Sequence, residues 1–256
     1  MNPHPRLELP QITLVAVTSV NVAATVIALE RSMAQIAFGA VRLIADHAPE
    51  DLPSGVEWVP IAPLASASAY SSFILERLAD HIATSHCLLV QWDGHIIHPQ
   101  RWRPEFLDQD YIGAAWPQFD DGHDVGNGGF SLRSRALLEA CRAPGFHPSH
   151  PEDLAIGRAN RAWLESQGLR FAPPALADAF SSERQGDPTV SFGFHGIWHM
   201  PRLLGRDAFW RIYSNLDERT SARHDFRSLL WQVARGRGGI GRAMTLIRDH
   251  YVHCPA

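Results

Sequence analysis

Cys87-Leu88-Leu89-Val90-Gln91-Trp92-Asp93-Gly94 decides how this chain folds. The octet begins as an unbroken apolar run, the mark of a strand buried on both faces. It ends on a carboxylate followed by a glycine. A charge at the end of a buried strand is costly unless something pairs with it. At the carboxyl edge of an open α/β sheet, that partner is usually a ligand or a metal. From the octet alone, Asp93 either holds a divalent cation carrying a nucleotide diphosphate or ends an Asp-Gly turn with Gly94 at positive φ.

Upstream, residues 1–10 contain three prolines and suit a loose lead-in. Ile12 to Val17 is the expected first strand, Thr18-Ser19-Val20-Asn21 a polar turn, and Val22 to Gln35 a helix with Asn21 as its N-cap. Such a strand, turn and helix start makes a nucleotide-binding edge, although the glycines of a dinucleotide fingerprint are missing. Ala40 to Ile44 and Val56 to Ile61 are further strands. Tyr70 to Ala83 is an amphipathic helix with Phe73, Ile74, Leu78 and Ile82 on one side. This alternation of strands and helices predicts an α/β fold with a mostly parallel, doubly wound sheet.

Downstream, Tyr111 to Trp116 and Leu169 to Ala172 are expected strands. Gly126-Asn127-Gly128-Gly129 implies close backbone approach, and a short strand and a helix from Arg135 to Cys141 follow. Arg133 and Arg135 follow the loop, in reach of a phosphate, but are expected at the surface. Glu152-Asp153 opens a helix to about Gln167, capped by Gly168. Phe192-Gly193-Phe194-His195-Gly196 is a glycine-framed aromatic turn. From Leu203 the pattern is helical in three pieces, so residues 1–200 and 201–256 are taken as a core and a helical extension packed on it. Gly236 to Gly241 matches GxGxxG but follows a helical stretch, which makes it a linker between helices. The acids of Asp120-Asp121-Gly122-His123-Asp124 are expected to be solvated in a mobile loop.

Composition narrows the classes. The 256 residues carry a net charge of −4, against the basic excess of a general nucleic-acid binder. All 23 basic residues are arginines, which excludes lysine Schiff-base chemistry and any P-loop or kinase lysine. Cys87, Cys141 and Cys254 are odd in number and show no CxxC, so neither a disulfide framework nor a thiolate zinc site is expected. A reducing, cytoplasmic setting fits. Leu9 to Leu29 is uncharged, but Pro10, Gln11, Thr13, Thr18, Ser19, Asn21 and Thr25 break it into strand, turn and helix rather than a membrane span.

Four features then follow in order: Asp93 after a buried strand, the Gly126 to Phe130 loop, Glu152-Asp153, and His195. This order resembles the GT-A-fold glycosyltransferases over roughly residues 11–199. The stretches DYIGA (Asp110 to Ala114), GNGGFSLRS (Gly126 to Ser134) and FGFH (Phe192 to His195) look like a bacterial and fungal subfamily of them. The resemblance implies a GT-A-like, Rossmann-related central sheet flanked by helices, with a C-terminal helical appendage. It implies sugar transfer from a nucleotide-sugar donor to a saccharide or glycoconjugate acceptor, assisted by Mn²⁺ or Mg²⁺. Asp93 and His195 would be metal ligands, with Gln91 in the position where the family's motif carries its first acid. Asp153 would be the general base of an inverting reaction, with Glu152 beside it. Thr18, Ser19, Asn21, Tyr70, Gln91, Trp92, Asn127, Gly128 and Gly129 would bind the donor. No nucleic-acid partner is expected. The arginine-rich tail allows weak contact with the inner membrane face. Two other classes stay open: a metal-dependent hydrolase built on Asp93, His195 and the other histidines, and a non-catalytic sugar- or nucleotide-binding module.

Overall fold

The computed structural model describes residues 6–34 and 36–252. Most of the expected lead-in, the expected helix end at Gln35 and Cys254 lie outside those residues. The chain divides into two compact units, residues 1–195 and 196–256.

In the first unit the order is β1 (Leu7–Thr18), α1 (Val22–Met33), β2 (Ile36–Ala45), β3 (Glu57–Pro60), α2 (Ala67–Glu76), β4 (His86–Val90), β5 (Gly94–Ile96), β6 (Tyr111–Ile112) and β7 (Phe130–Ser134). Then come α3 (Arg135–Ala140), α4 (Glu152–Leu154), α5 (Arg161–Ser166), α6 (Pro174–Phe180), β8 (Ser181–Ser182) and β9 (Gly193–His195). The main sheet has the order β3-β2-β1-β4-β7-β6. β1 to β4 are parallel, and β7 runs antiparallel to both β4 and β6. The protein is therefore an α/β protein with a mostly parallel central sheet flanked by helices.

The period-two alternation of strand side chains assigns the faces. Ile12, Leu14 and Ala16 of β1, with Leu88 and Val90 of β4, meet Val22, Val26 and Leu29 of α1. Val15, Val17, Cys87 and Leu89 point the other way, onto Ile74 of α2 and Leu78 and Ile82 beyond it. Because the chain winds outward from β1 to β3 and then returns to the far side of β1 with β4, its winding reverses between those two strands. The carboxyl ends of β1 and β4 thus flank a topological switch point, where open α/β sheets place their ligands.

Several boundaries differ from the sequence expectation. β1 starts at Leu7, with Pro10 inside it where the register to β2 shifts between Leu9 and Thr13. A bulge of this kind is where a strand tolerates proline. β2 runs five residues beyond the expected segment, four before it and one after. The predicted Tyr70 to Ala83 helix is α2, capped by Ser66 Oγ on the Ala69 amide (3.1 Å), followed by a separate 3₁₀ turn at Leu78–His81. Only Tyr111–Ile112 of the Tyr111 to Trp116 run is strand, and Phe171 keeps a single bridge to Tyr111. The helix from Glu152 is interrupted by a π-helical turn at Ala155–Ala159 before α5, and Gly168 follows at φ 86°.

Among the described residues, the second unit holds α7 (Met200–Leu203), α8 (Arg206–Ser214), α9 (Ser221–His224), α10 (Phe226–Val233) and α11 (Gly239–Val252), so that four helices follow Leu203 where three were expected. Phe209, Ile212, Leu229, Val233 and Leu246 form its buried centre. Gly236 and Gly238 adopt positive φ in the α10–α11 linker. Among the described residues, no helix is long and apolar enough to cross a membrane.

Phe130 has no exposed surface and stacks on Phe180 at 5.0 Å. Phe130→Ala should cost about 3–5 kcal/mol, read as a lower urea midpoint for loss of the first unit's near-ultraviolet dichroism.

Candidate functional site

The octet's strand stops at Val90. Gln91 and Gly94 then exchange backbone hydrogen bonds (3.2 and 3.0 Å) across the two-residue turn Trp92-Asp93. Gly94 is not at positive φ, contrary to the turn expectation. Its lack of a side chain serves close approach: β5 pairs Gly94 with His195 of β9, and a Cβ on Gly94 would come within 2.9 Å of the His195 ring. This pairing brings the Asp93 carboxylate, which is 6% exposed, to 3.6 Å from His195 Nε2. The amide oxygen of Gln91 lies 3.3 Å from the same nitrogen. Glu183 Oε1 faces Nδ1 at 3.3 Å and orients the ring. Burial disfavours a charged imidazole, but Asp93 and Glu183, with Asp153 further off, outweigh it and lift the His195 pKa to about 9.

The glycine loop is threaded between this histidine and the acidic helix start. A Cβ on Gly129 would sit 2.1 Å from His195 Nε2, and one on Gly128 would sit 2.6 Å from Glu152 Oε1. Only glycine fits at either position. Asn127 Oδ1 accepts from the Gly129 amide (3.0 Å), and Asp153 Oδ2 from the Gly128 amide (3.3 Å). Asp153 is half-buried at the start of α4. Burial, with the Glu152 charge adding to it, raises its pKa to about 6 against the opposing pull of the Leu154 and Gly128 amides and Arg133.

Glu152 has a different environment. Its Oε1 accepts from Arg133 at 3.1 Å, its backbone N–H donates to Ser71 Oγ at 3.2 Å, and Oε2 faces that hydroxyl at 3.4 Å. Arg133 is fully buried, contrary to its expected place at the surface, and its guanidinium lies over the Tyr111 ring. The reason is topological: β7 is an inner strand, covered on both faces. Tyr70 joins the group through the 3.2 Å bond that Gln91 Nε2 donates to its hydroxyl.

Thr18 ends β1 and Ser19 and Asn21 follow it, on the same sheet edge as the Trp92-Asp93 turn. Ser19 Oγ is occupied by the Leu64 amide (2.8 Å), and the Thr18 hydroxyl bonds to Val20. Asn21 precedes α1 at φ 55° without a side-chain cap, a left-handed position that asparagine tolerates better than most residues. Trp92 is half-buried in the turn. The acidic loop is tied down, since Asp121 bonds Arg158 at 2.7 Å. Sequence reasoning missed Glu183, which sits in a polar stretch with no distinguishing pattern. Arg133 could have been found by noting that a strand entering from a buried glycine loop has no solvent face.

Among the described residues, no three His, Cys, Asp or Glu side chains are grouped to hold a metal. The available set is one carboxylate, one imidazole and one amide oxygen. Oxygen donors plus imidazole suit Mn²⁺ better than Mg²⁺, with phosphate and water completing the shell, so the donors fit such an ion bound together with a ligand.

Fold and site together define an α/β protein with an acid- and histidine-lined site at the switch point of its sheet. The chain belongs to the family described as "Protein of unknown function (DUF5672)", whose model matches residues 54–195, more than half of the chain. No curated protein matches it in sequence. Among solved structures it is similar to an active-site mutant of LgtC (13% identity, 85% of this chain and 99% of that one, TM-score 0.44). It is also similar to the mannosyltransferase PcManGT from Pyrobaculum calidifontis in complex with GDP-Man and Mn²⁺ (10%, 100% and 80%, 0.44). A third is a glycosyltransferase involved in glycosylation of the major capsid of PBCV-1 (11%, 79% and 98%, 0.45).

Arg133→Met should destabilise the first unit by about 3–5 kcal/mol, because it strands the Glu152 carboxylate in the interior. The double variant with Glu152→Gln should recover part of that loss, measured by urea denaturation of both proteins.

Proposed function

We propose that this chain is a glycosyltransferase that moves a sugar from a nucleotide-sugar donor to an acceptor hydroxyl. One observation carries this reading. Asp153, a carboxylate with a raised pKa, accepts from the Gly128 amide, and His195, paired with Asp93, packs against Gly129 of the same loop, at the edge where the sheet's winding reverses.

The donor diphosphate lies at the carboxyl edge of β1 and β4. Asp93, His195 and the Gln91 amide oxygen would hold a divalent ion there, and the chemistry it would supply is Lewis-acid stabilisation of the departing diphosphate. Glu183 keeps the His195 ring turned toward Asp93 and Gln91. Thr18, Ser19 and Asn21 line the nucleoside side, with Trp92 in the turn and Tyr70 beside it. The bare backbone of Gly128 and Gly129 lets the sugar approach, and the Asn127 amide nitrogen donates to its hydroxyls. Asp153 takes the proton of the acceptor hydroxyl as that oxygen bonds to the anomeric carbon and the carbon–diphosphate bond breaks. Attack opposite the leaving group inverts the configuration. Glu152 is a positioning residue: held by Arg133 and Ser71, it fixes the first turn of α4 and raises the affinity of Asp153 for a proton.

Asp153→Asn should abolish transfer while donor affinity, followed by calorimetry, changes little. Full turnover in that variant would remove Asp153 as the base. In the parent protein the rate should fall as the pH drops below about 6, where Asp153 becomes protonated and can accept nothing. An unshifted carboxylate would place that fall near pH ~4. A nucleotide sugar that binds only the folded chain must raise its melting midpoint, and the rise should be larger with Mn²⁺ than with chelator. No shift from any nucleotide sugar counts against the whole assignment.

A further inference from the structure

The second unit contains a cavity of about 1160 Å³ formed entirely by its own residues. Arg202, Arg206, Arg227, Arg235, Arg237 and Arg242 line it, and Asp207 is the single acid in its wall. Asp207 is spent on Arg242, at 2.5 Å. Arg235 lies 3.4 Å over the ring of Trp231, which is 62% exposed. Among the described residues, the side chains of Arg202, Arg206, Arg227 and Arg237 make no hydrogen bond or ion pair. The sequence repeats this imbalance: residues 196–256 hold ten arginines against five acids, in a chain whose net charge is −4.

Like charges gathered around a concavity repel one another, and the walls focus their potential into the space they enclose. An anion relieves this. The planar fork of a guanidinium matches phosphate oxygens two at a time, which makes arginine the side chain suited to phosphate. The volume exceeds what one phosphate fills, and the Trp231 face offers a surface for an apolar or planar group. We infer that this cavity binds a ligand bearing a diphosphate or clustered phosphates, as a free compound or as a lipid headgroup. This inference does not depend on the activity proposed for the first unit.

The full chain, with chelator present to silence any cation-dependent site, is titrated calorimetrically with inorganic pyrophosphate. It is also floated with phosphatidylcholine vesicles with and without phosphatidic acid. Saturable binding to pyrophosphate, or to the phosphatidic acid vesicles but not the plain ones, is expected, and whichever responds identifies the source. Arg206→Ser and Arg227→Ser should each weaken binding about tenfold, the loss of one charge-assisted contact. Arg211→Ser removes the same charge from α8 outside the cavity and should leave binding unchanged. Asp207→Asn releases Arg242 and should tighten it several-fold, an outcome that misfolding cannot mimic. Absence of binding to both probes, or equal losses in the Arg206 and Arg211 variants, overturns the inference.

Discussion

Backbone approaching side chain without room for a Cβ is the constraint on which the site depends. Gly129 lies against the His195 ring, and Gly128 lies against the Glu152 carboxylate. Through these two residues, β9, β7 and α4, far apart in sequence, settle into one arrangement. A methyl group at either position would have to displace a half-buried histidine or a buried ion pair. The loop therefore acts as a spacer that sets how far Asp153 stands from Asp93 and His195.

Much of the first unit was legible. The apolar run before Gln91, the alternation in β1 and the helix of Val22 onward have periods that follow from geometry. The core then follows from which residues face which way. Boundaries were less legible where a local device overrides the period. Pro10 continues a strand because a bulge absorbs it, and the π-helical turn after Leu154 breaks a helix whose sequence carries no proline or glycine until Gly157. YIGAAW has strand composition, yet only Tyr111 and Ile112 find ladder partners. Short strands are fixed by neighbours rather than by propensity.

At the site, the order of the motifs was readable, whereas the bonds between them were not. Gln91 stands two residues before Asp93 in the sequence. In the structure it bonds both His195 and Tyr70, so its amide bridges two parts of the site. Glu183 enters from a stretch of ordinary polar residues. Contacts of this kind lie many residues apart, and no local pattern encodes them. The poise of Asp153 belongs in the same category, since it depends on burial and on how the neighbouring Glu152 charge is shared with Arg133.

Arg133 has one more consequence, for the order of events in folding. A buried lysine can shed its proton and enter the interior neutral, but a guanidinium keeps its charge throughout the aqueous pH range. The chain contains no lysine, so the central cation of β7 has no such route. Closing the sheet over Arg133 before α4 arrives would strand a bare charge in an apolar layer. Docking of the helix that carries Glu152 and closure of the sheet over Arg133 are therefore energetically coupled, since the ion pair forms only when both are in place.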